Sequence, residues 1–241
     1  MILTLLGTGC PKVDYKRFGP ANLISTSKTK ILVDCGSGVT QRLNKLNINT
    51  ANIDALFLTH LHFDHAGGLL SAWEEGQPLK LLFPNATYVV SGEHWERALK
   101  PHPRDKASFI PTLNQQLEES GRLHIVEGTS CEVLGPQYAF HYSNGHTPGL
   151  MLVEITTAEG PIVFGGDLIP GTPWVHIPIT MGYDRYPELL IDEKQRLLED
   201  LEQRKGRLFF THDPQVAMAH IVKDDRGRFH TENQQTQLLG L

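Results

Sequence analysis

The sequence predicts an α/β protein, because short apolar runs alternate along the chain with segments of helical periodicity. Three segments carry apolar residues at helical spacing, at residues 40–46, 93–100 and 190–201. Near the end, residues 219–223 and 228–231 flank a turn that contains Gly227 and predict a hairpin. Seven apolar runs predict buried strands, at residues 2–6, 31–33, 55–58, 88–90, 151–155, 162–164 and 208–210.

Polar residues able to bind a metal or react follow several of these predicted strands. Asp34, His60, Asp167 and His212 each come at or shortly after the end of an apolar run. Sites in layered α/β folds form where strands end and loops begin. The four strand ends therefore predict one shared site.

No linker divides the 241 residues. The stretches rich in proline and glycine, at residues 101–111 and 165–187, still carry apolar side chains such as Phe109 and Trp174. We interpret both as packed loops. Residues 1–241 are therefore expected to form a single domain.

The charge and hydropathy patterns limit the classes of partner. The formal net charge is −5, from 22 Lys and Arg against 27 Asp and Glu, and no basic run accompanies it. This argues against a nucleic-acid partner and favours a small-molecule substrate, while a homodimer stays open. The short apolar run at residues 2–6 lacks the features of a signal peptide, and no run of about 18 apolar residues exists, so we expect a cytoplasmic protein without a membrane partner.

The three cysteines do not suggest a metal site. Cys10, Cys35 and Cys131 lack the C-x-x-C spacing of thiolate zinc sites. They are expected to be buried, reduced thiols.

Four metal-ligand side chains lie within six residues, at His60, His62, Asp64 and His65. In extended backbone, alternate side chains share a face, so His60 and His62 converge on one point. The turn that follows brings Asp64 and His65 to a second point. Neutral imidazole and carboxylate are the ligands that zinc, iron and manganese prefer. The cluster therefore predicts a metal site.

A two-metal site needs about three more ligands, including a carboxylate that can bridge. His146, Asp167 and His212 each lie in a loop marked by glycine or proline, beside an apolar strand. The sequence thus predicts a two-metal centre of seven side chains: His60, His62, Asp64, His65, His146, Asp167 and His212.

This order of motifs, H-x-H-x-D-H, a lone His, Gly-Asp and a late His, resembles the metallo-β-lactamase superfamily over nearly the whole chain. The resemblance implies a four-layer αββα sandwich with the metals at the edge of its two sheets. Asp34 matches a short Asp motif of the family, which implies that it orients the His loop. The implied ligand sets are His60, His62 and His146 for one metal, Asp64, His65 and His212 for the other, and Asp167 as the bridge.

The resemblance further implies a hydrolase with two divalent ions, zinc being favoured over iron or manganese, in which a metal-bridging hydroxide attacks the substrate. Asp64 and Asp167 are candidate proton carriers as well as ligands. His176 and Tyr183, in the loop of residues 171–184, are candidate donors to a developing oxyanion. The remaining histidines are interpreted as surface or packing residues: His94, His102, His124, His141, His220 and His230.

The two halves of the chain resemble different branches of the family. Residues 6–11 and 34–39 resemble phosphodiesterases and transfer-RNA 3′-processing nucleases, although the long basic arm of those nucleases is not visible. The loops around His146, Asp167 and His212 resemble lactonases and organophosphate hydrolases, although Leu168 and its neighbours replace the Tyr of many lactonases.

We expect hydrolysis of a lactone, carboxylic ester or phosphotriester. The alternatives are a phosphodiesterase or nuclease, and a mononuclear iron dioxygenase. A non-catalytic binding protein is disfavoured by the complete ligand set.

Overall fold

The computed structural model describes residues 1–9 and 17–236. Cys10 and Pro11, which belong to the N-terminal motif, lie outside the described residues. The chain forms two compact units, Met1–Glu127 and Gly128–Leu238, and each contains one six-stranded sheet.

The sheet of the first unit contains β1 (Ile2–Gly7), β2 (Ala21–Ser25), β3 (Lys30–Val33), β4 (Ala55–Phe57), β5 (Thr87–Ser91) and β6 (Leu123–Val126), arranged in chain order. The first three strands are antiparallel, and β3 to β6 are parallel. Parallel strands need crossover connections, which here contain helices. These helices are α1 (Val39–Lys45), α2 (Phe63–Ala66), α3 (Gly92–Leu99) and α4 (Pro111–Glu119).

The sheet of the second unit contains β7 (Tyr138–Ser143), β8 (Leu150–Ile155), β9 (Ile162–Phe164), β10 (Arg207–Phe209), β11 (Met218–Lys223) and β12 (Phe229–Gln235), also in chain order. Only β9 and β10 of these described strands are parallel, and α5 (Pro187–Gln203) connects them. The buried face of α5 is the apolar stripe that the sequence predicts, Leu190, Leu197, Leu198 and Leu201.

The predicted α/β fold class is confirmed: the structure has two sheets flanked by helices, and every strand and helix predicted above is present. The sequence reasoning missed β2, β6, β7 and α4, and it interpreted the short helix α2 as a turn. β7, with the sequence YAFHYS, lies at a sheet edge and mixes aromatic with polar residues, so it lacks the continuous apolar run of a buried strand. Pro111 looked like the end of a loop, whereas it is the first residue of α4, where proline is favoured.

Cys35 and Cys131 are buried and free, as predicted. Burial raises the pKa of the Cys35 thiol, and the neighbouring Asp34 carboxylate adds to the effect. The Cys35 thiol therefore stays protonated and unreactive at neutral pH. Among the described residues, no helix combines the length and the apolarity needed to cross a membrane.

A buried acidic side chain connects β7, β8 and α5 in the second unit. Glu154 accepts hydrogen bonds from His141 Nε2 (2.8 Å) and from the guanidinium of Arg204. Burial alone would raise the pKa of Glu154, but these hydrogen bonds and the two positive partners outweigh it and bring the pKa to about 2. The ionised form therefore stabilises the folded state.

We predict that Glu154→Gln lowers the free energy of unfolding by about 2 kcal/mol at neutral pH, because the charged hydrogen bonds are lost. The folded pKa lies below the ordinary value of 4.5, so this stabilisation is complete above pH 4.5 and disappears as the pH falls to about 2. Urea unfolding of both proteins across this pH range measures the difference. Glu159→Gln is the control, since Glu159 pairs with Arg207 but its side chain is 78% exposed; a pH-independent difference for Glu154→Gln would contradict the assignment.

Candidate metal centre

The first unit presents three buried imidazoles beside the end of β4. The ring centroid of His60 lies 4.5 Å from that of His62 and 4.0 Å from that of His65. His60 and His65 are fully buried, and His62 is 5% exposed. Asp64 and His65 belong to α2, whose single turn follows His62 directly. The cluster predicted from the H-x-H-x-D-H motif is therefore compact and largely shielded from water.

A buried carboxylate fixes two of these imidazoles. Asp34 Oδ2 lies 2.8 Å from His65 Nδ1, so Nδ1 carries the donated proton and Nε2 keeps its lone pair. Thr59 donates its hydroxyl proton to Asp34, and its oxygen lies 3.0 Å from His60 Nδ1. Since that hydroxyl has no second proton, Nδ1 of His60 is the donor here and Nε2 again keeps its lone pair. Asp34 thus orients the His loop, as expected.

Close backbone packing joins the Asp34 loop to the His loop. Cys35 donates its N–H to the carbonyl of His65 (2.7 Å), and Gly68 donates to the carbonyl of Cys35 (2.8 Å). A side chain at Gly68 would place its Cβ 2.1 Å from the carbonyl oxygen of Gly36. Glycine is therefore required at position 68, and the contact holds Asp34 beside its imidazole partners.

The second unit brings its three predicted ligands to one carboxylate. Asp167 follows β9, and its two oxygens lie 3.4 Å from His146 Nε2 and 3.0 Å from His212 Nε2. His146 and Asp167 are buried, at 1% and 3% exposure. The structure thus brings these three predicted site residues together, although they come from three separate loops.

Asp184 is a residue that sequence reasoning missed. Its Oδ1 lies 2.8 Å from His146 Nδ1, and its Oδ2 accepts the N–H of Met181 (2.6 Å). The buried Asp184 carboxylate therefore gives His146 the same tautomer that Asp34 gives His65. No motif marks Asp184, because it lies 38 residues from its partner in the chain.

Two adjacent residues of α5, Glu193 and Lys194, make hydrogen bonds to the loops that carry His146 and His176. Glu193 accepts hydrogen bonds from Ser143 Oγ (2.7 Å) and from the N–H groups of Asn144 (2.9 Å) and Gly145 (3.0 Å), directly before His146. Lys194 is fully buried and donates to the carbonyls of His176 (3.1 Å) and Ile179 (2.6 Å).

Burial lowers the pKa of Lys194 to about 8, against the opposing effect of Asp184. Neither Glu193 nor Lys194 carries a sequence signal that distinguishes it from an ordinary charged residue on the exposed face of a helix.

The two predicted oxyanion donors lie in different surroundings. Tyr183 is 50% exposed, and its ring centroid lies 6.0 Å from that of His146. His176 is exposed and lines a cavity of about 340 Å³ whose lining includes Phe229 and Lys223 but none of the seven predicted ligands. The structure therefore brings Tyr183, but not His176, into ring contact with a predicted ligand.

The donor chemistry fits a divalent metal. In each unit a carboxylate binds Nδ1 of a buried imidazole, so that Nε2 keeps the lone pair that a metal requires. Asp64 and Asp167 add two further carboxylates. Carboxylate–histidine–metal arrangements of this kind are typical of zinc and related sites. Imidazole and carboxylate donors without thiolate suit zinc, iron and manganese alike.

Comparison with protein families agrees with this chemistry. The family model described as the metallo-beta-lactamase superfamily matches residues 15–212. The chain belongs to this superfamily. The family prediction made from the motifs is confirmed.

Among curated relatives, a ribonuclease Z of Mycobacterium bovis (strain BCG / Pasteur 1173P2) is 38% identical over 180 residues, which cover 55% of this chain and 64% of the relative. A ribonuclease Z of Mycobacterium tuberculosis (strain ATCC 25618 / H37Rv) is 39% identical over 176 residues, covering 55% and 63%. The chain thus spans less than two thirds of the length of these curated relatives.

Solved structures share the fold at lower identity. A probable metal-dependent hydrolase from Staphylococcus aureus superimposes with a TM-score of 0.75 at 22% identity, covering 97% of this chain and 95% of that one. AidC, a dizinc quorum-quenching lactonase, gives a TM-score of 0.72 at 23% identity, covering 89% and 79%. At these identities the likeness establishes the fold.

We predict that Asp34→Asn weakens zinc binding about 10- to 100-fold, because the His65 ring loses its carboxylate partner. Asparagine tolerates the positive φ of 60° at this position, so the backbone is retained. Competition with a chromophoric chelator measures the affinity. Asp54→Asn is the matched control, since Asp54 accepts the N–H of Lys30 in the same unit, away from the imidazoles; equal affinities for the two variants would contradict the role of Asp34.

Proposed function

We propose that the protein is a dinuclear-metal hydrolase of lactones, carboxylic esters or phosphotriesters. One metal would be held by His60, His62 and His146, the other by Asp64, His65 and His212, and Asp167 would be a ligand to both. In this proposal residues 1–241 act as one domain, because four ligands belong to the first compact unit and three to the second.

The observation that carries the proposal is the pair of buried carboxylates on the ligand imidazoles. Asp34 fixes His65 and Asp184 fixes His146, each at 2.8 Å from Nδ1. Burying a carboxylate costs free energy unless it is hydrogen-bonded or paired. Two such carboxylates, each placed behind a histidine that the motif independently selects, support a metal centre rather than a set of packing residues.

Two divalent ions held by these side chains would supply a hydroxide near neutral pH and polarise the carbonyl or phosphoryl group under attack. The side chains of the protein orient the ligands, exchange a proton and donate a hydrogen bond to the substrate. Asp167 contacts both His146 and His212 and fixes their positions relative to each other. The Asp64 side chain is 13% exposed, so it can exchange a proton with water or product. Tyr183 donates to the oxygen on which charge develops; His176 is retained as a second candidate donor.

The preference for a small uncharged electrophile rests on the charge of the chain and on its loops. A polynucleotide substrate needs several phosphate contacts from Lys and Arg, whereas the formal net charge is −5. The loop that contains Tyr183 and Asp184 offers an aromatic side chain beside His146. An aromatic wall suits an ester or lactone with an apolar acyl group.

Phosphodiester hydrolysis is the second candidate. It is favoured by the 38% identity with a ribonuclease Z over 180 residues. Both candidates use the same metal chemistry, so the substrate-binding side chains decide between them.

A substrate panel tests the proposal. We predict that the zinc-loaded protein hydrolyses an aryl ester, a lactone or an aryl phosphotriester at least tenfold faster, in kcat/KM, than an aryl phosphodiester or a precursor transfer RNA. The double variant Asp64→Ala, His65→Ala should lose one metal per chain and at least 100-fold in kcat. Faster turnover of the phosphodiester or the RNA would select the second candidate, and a wild type that binds no metal would refute both. A protein that retains a single iron and consumes oxygen would instead indicate the dioxygenase.

Tyr183 provides a second test. We predict that Tyr183→Phe lowers kcat about 10- to 100-fold with little change in KM, because the hydroxyl acts on the transition state. Tyr186→Phe is the control, since Tyr186 lies three residues away and is 51% exposed. An unchanged kcat for Tyr183→Phe would limit Tyr183 to packing against His146.

A further inference from the structure

His94 is a buried histidine that the sequence reasoning placed among surface or packing residues. It lies on α3 and is fully buried. Its ring centroid lies 5.9 Å from that of His60, 6.3 Å from that of His62 and 5.7 Å from that of Phe109. His94 therefore belongs to the surroundings of the His60–His62 pair.

The decisive contact is made with the backbone between the two ligands. His94 Nε2 accepts the N–H of Leu61 at 2.8 Å. Leu61 is itself buried, at 1% exposure, and leaving a buried N–H without an acceptor would destabilise the fold. An accepting Nε2 has no proton, so His94 is a neutral imidazole with its proton on Nδ1.

Neighbouring structure holds His94 in this place. Its own N–H donates to Ser91 Oγ (3.1 Å), and Ser91 is both the last residue of β5 and the N-cap of α3. β5 pairs in parallel with β4, the strand that leads to His60, and Leu58 donates its N–H to the carbonyl of Val89 (3.0 Å). The paired strands thus carry the hydrogen-bond acceptor and the His60–His62 segment to the same edge of the sheet.

We propose that His94 is a positioning residue: its hydrogen bond to Leu61 N–H sets the backbone from which His60 and His62 bind a metal. The inference rests on the proposed function in that His60 and His62 are taken as ligands. His94 acts through the peptide group between them and does not itself coordinate. Asp34 acts at other atoms: it accepts hydrogen bonds from the His65 ring and from the N–H of Thr59, whereas His94 accepts the N–H that lies between His60 and His62.

A matched pair of substitutions isolates the hydrogen bond. In His94→Gln the side-chain carbonyl can accept from Leu61 N–H, whereas His94→Met has nearly the same length and lacks a strong acceptor. His124→Phe, on β6 of the same sheet, controls for the loss of a histidine. The measurements are zinc affinity by chelator competition, the d–d absorption spectrum of the cobalt-substituted proteins, and Tm.

We expect His94→Met to bind zinc about 10- to 100-fold more weakly than the wild type and to change the cobalt spectrum. His94→Gln should stay within about threefold of the wild type, and His124→Phe should be unchanged. Wild-type affinity and spectrum in His94→Met would overturn the proposal whatever its Tm, and so would an equal loss in both His94 variants.

The wild type offers a check that needs no variant and no metal. In the metal-free, nitrogen-15-labelled protein we expect a scalar coupling across the hydrogen bond between Leu61 N and His94 Nε2, together with an Nε2 chemical shift typical of an unprotonated ring nitrogen. Absence of both would overturn the positioning role. If the coupling is present and the wild type binds no zinc, the proposed function fails while the hydrogen bond stands, so the two failures are distinguishable.

Discussion

The proposed site depends on the hydrogen bond between a buried carboxylate and the Nδ1 atom of a predicted ligand imidazole. An imidazole binds a metal through one ring nitrogen, and a hydrogen-bond acceptor on the other nitrogen determines which tautomer is present. Asp34 does this for His65 in the first unit, and Asp184 does it for His146 in the second. The same interaction therefore appears twice, in loops that share no sequence similarity.

The strands supply the rigidity that these hydrogen bonds require. His60, Asp167 and His212 follow the ends of β4, β9 and β10, three short strands that are buried along their whole length. A buried strand allows little backbone movement, so a side chain just beyond its end is presented in a narrow range of positions. Long loops can then vary around a fixed centre, which accounts for different substrates within one fold family.

The sequence was sufficient to predict the fold class and the family, because the H-x-H-x-D-H spacing and the buried strands are encoded in contiguous residues. It was insufficient for Asp184, His94 and Glu193, whose roles arise only when distant segments meet in the folded chain. β7 was missed because an edge strand needs no continuous apolar run. The substrate is harder still to predict, since it depends on the side chains and conformation of loops such as residues 171–184.

Anomalous X-ray scattering at the zinc edge, measured on crystals of the zinc-loaded protein, tests the proposed two-metal centre. We expect two peaks per chain, about 3.5–4 Å apart, as in known two-metal hydrolytic sites. One peak should contact His60, His62 and His146, the other Asp64, His65 and His212, with Asp167 touching both. A single peak, or peaks held by other side chains, would contradict it.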